Sequence, residues 1–170
     1  MDGSASFDNS SELSVAGWGF TAALPNGEHL VDFCGPVITS PTREFFAGAG
    51  QSTNNTAELS AIYFACQWLV ALSRAYPNIA TTVRFDYDSE YATNIARKIW
   101  RPASNAALAL ATRDAVDLVA SHFQCDWNHV DAHTGELLNE RADVLAKVGS
   151  RGTLLTSHRL HRRLLLLGRE

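Results

Sequence analysis

The sequence lacks an apolar run long enough to cross a bilayer; the longest run near its end, residues 164–167, has four residues. Its first residues, Met-Asp-Gly-Ser, lack the basic and then apolar order of a signal peptide. Cysteines are few and odd in number, and the spacing of Cys34, Cys66 and Cys125 suggests no pairing. These absences argue against a disulfide scaffold, a zinc site and a membrane partner. They predict buried thiols in a reducing, intracellular compartment, nucleus or cytoplasm.

Basic residues are also scarce: the sequence contains 14 Lys and Arg residues but 18 Asp and Glu residues. The distribution is uneven: residues 1–150 carry a net charge of −8, whereas residues 151–170 carry five Arg and one Glu. An acidic body is compatible with a metal-dependent nuclease, since bound cations offset clustered carboxylates. It predicts weak affinity for phosphate backbones unless the basic tail helps. A mildly acidic protein with no nucleic-acid partner remains an alternative.

Hydrophobic periodicity predicts one α/β domain over residues 1–150 and a basic, Leu-rich and Arg-rich tail over residues 151–170. Residues 5–15 are turn-rich and predict a loop, and Pro25-Asn26-Gly27 predicts a hairpin turn. The predicted strands are residues 16–24, 29–38, 45–49, 82–87 and 124–130. The predicted helices are residues 56–73, 89–100, 105–123 and 139–148. The order βββαβααβα indicates a mixed sheet covered by helices. The tail is open to three readings: a helix, an arm or a disordered segment.

Four acidic residues stand in four separate local settings. Asp2 belongs to a first strand, Glu58 lies in the first turn of a predicted helix, Asp88 joins a strand to a helix, and Asp143 lies in the first turns of the last helix. Each alone is explained by capping, solvent exposure or the helix dipole. Strand ends and helix starts of a mixed sheet can nevertheless bring all four to one edge. Carboxylate oxygens suit hard divalent cations, and paired cations serve phosphodiester hydrolysis.

Four motifs follow one another in a recognisable order: Asp2-Gly-Ser with Gly17-Trp-Gly, Thr53-Asn-Asn-Thr-Ala-Glu-Leu, Asp88-Ser-Glu-Tyr, and His133-Thr-Gly with Asn139-Glu-Arg-Ala-Asp. In these motifs the chain resembles the type 1 ribonuclease H family of retroelements and cells, over residues 2 to about 150. The resemblance implies the ribonuclease H-like fold, an α/β fold with a five-stranded mixed sheet flanked by helices. It also implies an endonuclease that cuts the RNA strand of RNA–DNA hybrids with two Mg²⁺ or Mn²⁺ ions.

The resemblance implies a role for each acid and for one histidine. Asp2, Glu58, Asp88 and Asp143 correspond to the family's metal ligands. His133 corresponds to a loop residue that assists proton transfer or product departure, a role that suits imidazole because its unperturbed pKa is about 6.5. A surface histidine with no such role is the alternative.

The same resemblance implies substrate contacts. Thr53, Asn54 and Asn55 match positions that touch the hybrid, where an amide or hydroxyl can contact a ribose 2′-OH or a phosphate. Helix capping is the alternative for the two asparagines. Trp100 falls near a position that packs an aromatic ring against the DNA strand, and a buried core tryptophan is the alternative.

The chain also departs from the family pattern. Only Met1 precedes Asp2, so the apolar residues that start the family's first strand are lacking. We therefore expect weak activity, a high metal requirement, and gains in stability and rate when β-forming residues are added before Met1. Residues 100–105 leave no room for an additional basic helix, which resembles retroelement domains. We expect a monomer, with a fused or neighbouring reverse transcriptase to help it bind.

Two other functions remain open on the same fold. The first is an inactive ribonuclease H-like binding or structural module of a retroelement protein. The second is a structure-specific DNA nuclease, which the Thr-Asn-Asn and His-x-Gly motifs disfavour. Fold analogy alone does not separate these functions.

Overall fold

A computed structural model of the chain describes residues 1–6, 15–131 and 135–156. It contains six strands and four helices in these ranges. The strands are β1 (Asp2–Ser6), β2 (Val15–Ala23), β3 (His29–Pro36), β4 (Thr82–Tyr87), β5 (Gln124–His129) and β6 (Leu155–Thr156). The helices are α1 (Asn54–Ala75), α2 (Glu90–Ala96), α3 (Ala106–Ala120) and α4 (Leu137–Ser150).

The predicted mixed sheet with flanking helices is confirmed. Strands β1, β2 and β3 pair antiparallel, and the two-residue strand β6 adds to the edge at β3. Strands β4 and β5 pair parallel, with Phe85 opposite Trp127. The two ladders adjoin where the backbone nitrogen of Met1 donates to the carbonyl oxygen of Asp86 at 3.3 Å. This contact places the start of β1 beside the end of β4.

Helices cover both faces of the antiparallel strands. A Cβ atom built on Gly3 would lie 2.6 Å from the carbonyl carbon of Ala57 in α1. A Cβ atom built on Gly19 would instead lie 2.6 Å from the backbone nitrogen of Ala146 in α4. Gly3 pairs with Trp18, the neighbour of Gly19 in β2, and neighbouring residues of a strand point to opposite faces, so α1 and α4 lie on opposite sides of the strands. Glycine lets both helices approach the sheet closely.

The core lies mainly between the strands and α1, α2 and α3. Trp18 stacks on Phe64 of α1 with ring centroids 4.2 Å apart, and Leu59, Ile95 and Leu108 are fully buried. Cys34 and Cys66 are buried and Cys125 is half-buried. No described helix has both the length and the apolar character that a membrane span requires.

Local signals set most element boundaries. The predicted turn at residues 25–27 forms, with Gly27 at φ +85° and its backbone nitrogen donating to Leu24 O at 2.9 Å. Helix α2 ends at Ala96, earlier than the predicted residue 100, because Lys98 adopts a left-handed φ of +65°. Asn105, also left-handed, precedes α3.

One predicted strand is wrong, and so are the bounds of one predicted loop. Residues 45–49 form no strand; Phe45 has φ +63°, a conformation that a strand does not admit. The first of the three early strands is β1 instead. Within the predicted loop at residues 5–15, Ala5 and Ser6 belong to β1 and Val15 belongs to β2. Residues 7–14 lie outside the described part of the chain. The tail provides β6 at residues 155–156, and residues 157–170 lie outside the described part.

Candidate active site

Asp2 reaches the site from the α4 side of the sheet. It pairs with Gly19 across the β1–β2 ladder, and direct cross-strand partners point to the same face. Since the Cβ position of Gly19 meets α4, the Asp2 side chain points toward α4, which carries Asp143. The sheet register therefore brings the first and last predicted acids together.

The electrostatic surroundings of Asp2 disfavour a negative charge. Burial raises the pKa of Asp2, and the carboxylates of Asp88 and Asp143 raise it further, to about 7. One hydrogen bond opposes this effect, since the backbone nitrogen of Gly3 donates to Asp2 Oδ1 at 2.7 Å. Three of the four predicted acids thus interact through their charges, and a cation near them would relieve the repulsion.

Glu58 enters the site from α1, on the opposite side of the sheet. Sequence reasoning put it in the first helical turn, but the helix starts at Asn54 and has no acid in its first turn, so Glu58 lies in the second. The Ser89 hydroxyl donates to Glu58 Oε2 at 2.5 Å. Burial raises the pKa of Glu58 and Asp88 adds to the effect, while the Ser89 hydrogen bond opposes it. The dipole-partner interpretation of Glu58 is therefore wrong.

Asp88 and Asp143 each have a neighbour that donates to the carboxylate. Asp88 lies between β4 and the Ser89 N-cap of α2, as predicted, and accepts from Asn139 Nδ2 at 3.2 Å. Asp143 accepts from Lys147 Nζ at 2.5 Å, one turn further along α4. These contacts hold the two carboxylates in place, and Lys147 supplies part of the positive charge that they need.

The four acids lie in one neighbourhood without converging on a point. Asp2 and Glu58 line one small cleft together with Tyr87, Ser89 and Thr93. Within residues 1–6, 15–131 and 135–156, however, no three or more His, Cys, Asp or Glu side chains are grouped closely enough to hold a metal ion. Glu58, Asp88 and Asp143 point instead to Ser89, Asn139 and Lys147. The donor set has the hard oxygen chemistry that a divalent cation needs, and its accumulated negative charge fits such an ion.

The predicted substrate residues separate into one capping residue and three exposed side chains. Thr53 is the N-cap of α1 and forms a capping box with Thr56, at 3.2 Å and 2.9 Å. Asn54 and Asn55 follow it in the first turn and are exposed, so neither provides the cap. Trp100 is 45% exposed, which excludes the core alternative. His133 lies outside the described residues.

Sequence reasoning gave no role to three residues of the site. Ser89 orients Glu58 and also caps α2, accepting from Ala92 N at 3.3 Å. Asn139 is buried, holds Asp88 with its amide nitrogen, and has no hydrogen-bond partner for Oδ1 among the described residues. The Thr93 hydroxyl lines the cleft, buried and likewise without a partner there. Ser89 and Asn139 lie within the motifs that begin at Asp88 and Asn139, so their positions were a sequence signal for a role at the site. No motif includes Thr93.

Comparisons with known proteins identify the family that the chain is similar to. The family model described as RNase H matches residues 2–151. The ribonuclease H of Halorhodospira halophila is 34% identical over 142 residues, which cover 78% of this chain and 80% of that protein. The ribonuclease H of Pseudomonas paraeruginosa is 36% identical over 116 residues, covering 63% and 73%.

Solved structures share the fold at lower identity. The PFV RNase H domain superimposes with a TM-score of 0.61 at 21% identity, covering 88% of this chain and 91% of that one. RNase H1 from the archaeon Halobacterium salinarum NRC-1 gives a TM-score of 0.55 at 19% identity, covering 86% and 92%. At these identities the likeness concerns the fold alone.

Proposed function

The chain belongs to the ribonuclease H family, and we propose that Asp2, Glu58, Asp88 and Asp143 are the groups with which it hydrolyses the RNA strand of RNA–DNA hybrids. The observation that carries the assignment is the electrostatic coupling of Asp2 to Asp88 and Asp143, reached from β1, β4 and α4. Half-buried acids that come from separate parts of the chain and raise the pKa of one of them are characteristic of functional sites.

The family generally uses divalent metal ions, and we propose two Mg²⁺ or Mn²⁺ ions held by the four carboxylates. Bound there, the ions would supply activation of a water and stabilisation of the leaving oxygen. The chain's own residues prepare the site: burial keeps Asp2 from ionising easily, and Ser89 and Asn139 hold Glu58 and Asp88 in fixed orientations. To act as a ligand, Asp143 would exchange its contact with Lys147 for one with the ion, and the Lys147 side chain is 54% exposed, so its ammonium could return to water.

Substrate contact is proposed for the exposed residues near the start of α1 and after α2. Asn54 and Asn55 follow the Thr53 cap with their side chains exposed, so their amides are placed to contact a ribose 2′-OH or a phosphate. Trp100 presents an exposed ring for contact with the DNA strand. His133 is assigned to proton transfer or product departure by its His-x-Gly motif.

The remaining assignments rest on the family resemblance and on charge. We propose a domain over residues 1–150 followed by a basic tail, acting as a monomer, with a fused or neighbouring reverse transcriptase of a retroelement to assist binding. The alternative is an inactive module of the same fold, which binds hybrid without cutting it.

A cleavage assay separates these alternatives. A labelled RNA–DNA hybrid is incubated with the wild-type chain in Mg²⁺, Mn²⁺ or EDTA. We expect RNA cleavage with either metal and none in EDTA. Asp88→Asn removes a proposed ligand charge and should reduce cleavage to background while the fold persists. Asp86→Asn is the matched control two residues earlier, where the carboxylate pairs with Arg84 and Asn128, and it should keep activity.

The outcomes of the assay are distinct. Cleavage that persists in EDTA would contradict metal dependence, and equal loss in both variants would contradict the assignment of Asp88. A folded wild-type chain that binds hybrid but cuts it with neither metal would support the inactive module.

A further inference from the structure

The segment that presents Trp100 is built at the end of α2. Arg97 is the C-cap, and Lys98 turns the chain with φ +65°. The backbone nitrogens of Ile99 and Trp100 then both donate to the Asn94 carbonyl oxygen, at 2.8 Å and 3.1 Å. This turn leaves Ile99 56% exposed and Trp100 45% exposed, on a segment whose residues 97–101 are all exposed. The indole ring of Trp100 therefore needs a further contact, from outside this exposed segment, to be held in one orientation.

Arg113 of α3 supplies that anchor. Its Nε atom donates to the carbonyl oxygen of Ile95 at 2.8 Å, and its Nη2 atom donates to the carbonyl oxygen of Trp100 at 2.7 Å. Ile95 is fully buried in the last turn of α2, so one end of the contact is fixed in the core. The planar guanidinium thereby ties the Trp100 backbone to two helices at once.

The geometry of the fork makes this contact specific to arginine. A guanidinium holds several N–H donors in one rigid plane, whereas a lysine ammonium is a single point on a flexible stem. A lysine at this position would carry its donors on one rotating nitrogen, so it would not hold the two carbonyl groups in the fixed plane that the guanidinium imposes. The second link between this segment and α3, Lys98 Nζ to Asp117 Oδ2 at 2.5 Å, is an exposed ion pair and contributes little.

We propose that Arg113 is a positioning residue that fixes Trp100 for contact with the hybrid, so that it sets substrate affinity without taking part in hydrolysis. The inference rests on the proposed role of Trp100. It predicts that Arg113 matters for binding only while Trp100 is present.

A double-mutant cycle tests the inference. Hybrid affinity is measured by fluorescence anisotropy in the Asp88→Asn background, which prevents turnover. Trp100→Ala should weaken binding by about tenfold, within the range for loss of an aromatic stacking contact. Arg113→Lys should weaken binding several-fold when Trp100 is present and less than twofold in the Trp100→Ala background. Asp117→Asn, the matched control on α3, should change affinity less than twofold.

Turnover and rescue measurements distinguish positioning from general destabilisation. With Asp88 intact, Arg113→Lys should raise KM and leave kcat unchanged. If Arg113→Lys melts at a lower temperature, Arg113→Ala with millimolar ethylguanidinium should recover affinity in a chain that keeps Trp100 and not in one that lacks it. Unchanged affinity in Arg113→Lys, or multiplicative losses in the double variant, would overturn the inference. If Trp100→Ala binds as well as the parent, the Trp100 contact fails and the inference with it, while the assignment of Asp88 stands.

Discussion

Asp2 shows how one buried carboxylate links stability to pH. Its pKa is raised from 3.8 to about 7, so the folded chain keeps a proton that the unfolded chain releases. The sign follows from this difference: the stabilising effect of that proton is complete below pH 3.8 and is lost as the pH rises through 7. Above pH 7 the folded chain carries the full repulsion with Asp88 and Asp143, unless a cation offsets it.

Asp2→Asn should therefore stabilise the metal-free protein at high pH. A shift of this size has a ceiling of about 4 kcal/mol at 1.36 kcal/mol per pKa unit, and solvent screening reduces the expected gain to about 1–3 kcal/mol. Urea unfolding in EDTA at pH 8 and pH 4.5 measures it, with a clear gain at pH 8 and a much smaller one at pH 4.5. Asp126→Asn, an exposed acid on β5, should show no such difference. The same gain at both values would contradict the raised pKa.

At the scale of elements, the crossing of α4 over β2 decides where Asp143 lies. The positions of Gly17 and Gly19 face α4, and a Cβ atom on Gly17 would lie 2.0 Å from the Ser150 backbone nitrogen. A Cβ atom on Gly19 would lie 2.6 Å from the Ala146 backbone nitrogen. Backbone atoms cannot move away by a change of rotamer as a side chain can, so alanine at position 17 or 19 would displace α4.

Gly19→Ala should lower the free energy of unfolding by about 1–3 kcal/mol or more, because this is the usual cost of overpacking a core. It should also reduce hybrid cleavage at a temperature where the variant remains folded, because Asp143 moves away from Asp2. Gly50→Ala is the matched control, since its nearest neighbour would be Asn105 Oδ1 at 3.9 Å. Chemical denaturation and cleavage rates measure both effects. A Gly19→Ala chain as stable and active as the wild type would show that α4 has more room than its contacts indicate.

Arg141 provides a second anchor of α4 through its ion pair with Asp32. The stabilising effect of this pair depends on pH in the opposite sense to that of Asp2. Burial disfavours ionisation of Asp32 on β3, but hydrogen bonds from Arg141 and His29 outweigh it and lower the pKa to about 2. The pair therefore stabilises the fold above pH 3.8 and loses this effect as the pH falls through 2. At neutral pH, α4 is held by the ion pair and by close packing together.

For the whole molecule, the distribution of charge governs how hybrid binding responds to salt. Residues 1–150 carry a net charge of −8, whereas the last twenty residues carry +4. Deleting the tail from residue 151 would also remove β6, which pairs with Phe33 and Cys34 of β3. Neutralising the arginines of residues 157–170 tests their charge and leaves that pairing in place.

Changing Arg159, Arg162, Arg163 and Arg169 to Gln should weaken hybrid binding. It should also flatten the slope of log affinity against log salt by about 0.9 for each phosphate contact that is lost. Anisotropy titrations at several salt concentrations measure this. Arg74→Gln is the control, because Arg74 lies in the last turn of α1, about 30 Å along the helix axis from Asn54 at its N-terminus at 1.5 Å per residue. An unchanged slope would mean that the tail arginines do not contact phosphates.

The sequence by itself determined the elements whose signals are local. Three features depend only on residues close together in the sequence: the hydrophobic periodicity, the turn at residues 25–27, and the junction of strand, Asp88 and helix. They can therefore be predicted without knowledge of the tertiary structure. Residues 45–49 and the end of α2 were misread because left-handed backbone at Phe45 and Lys98 carries no composition signal in a non-glycine residue.

Only the tertiary structure decided how the site is assembled. Ser89 and Glu58 are 31 residues apart, and Asn139 and Asp88 are 51 apart, so no local pattern connects them. The register of β1 on β2 placed Asp2 on the α4 face, and a shift by one residue would have turned it to the other. The exposure of Trp100 and its link to Arg113 depend likewise on how α2 packs against α3. Local physics selects the elements, whereas contacts between distant residues fix the direction in which each functional side chain points.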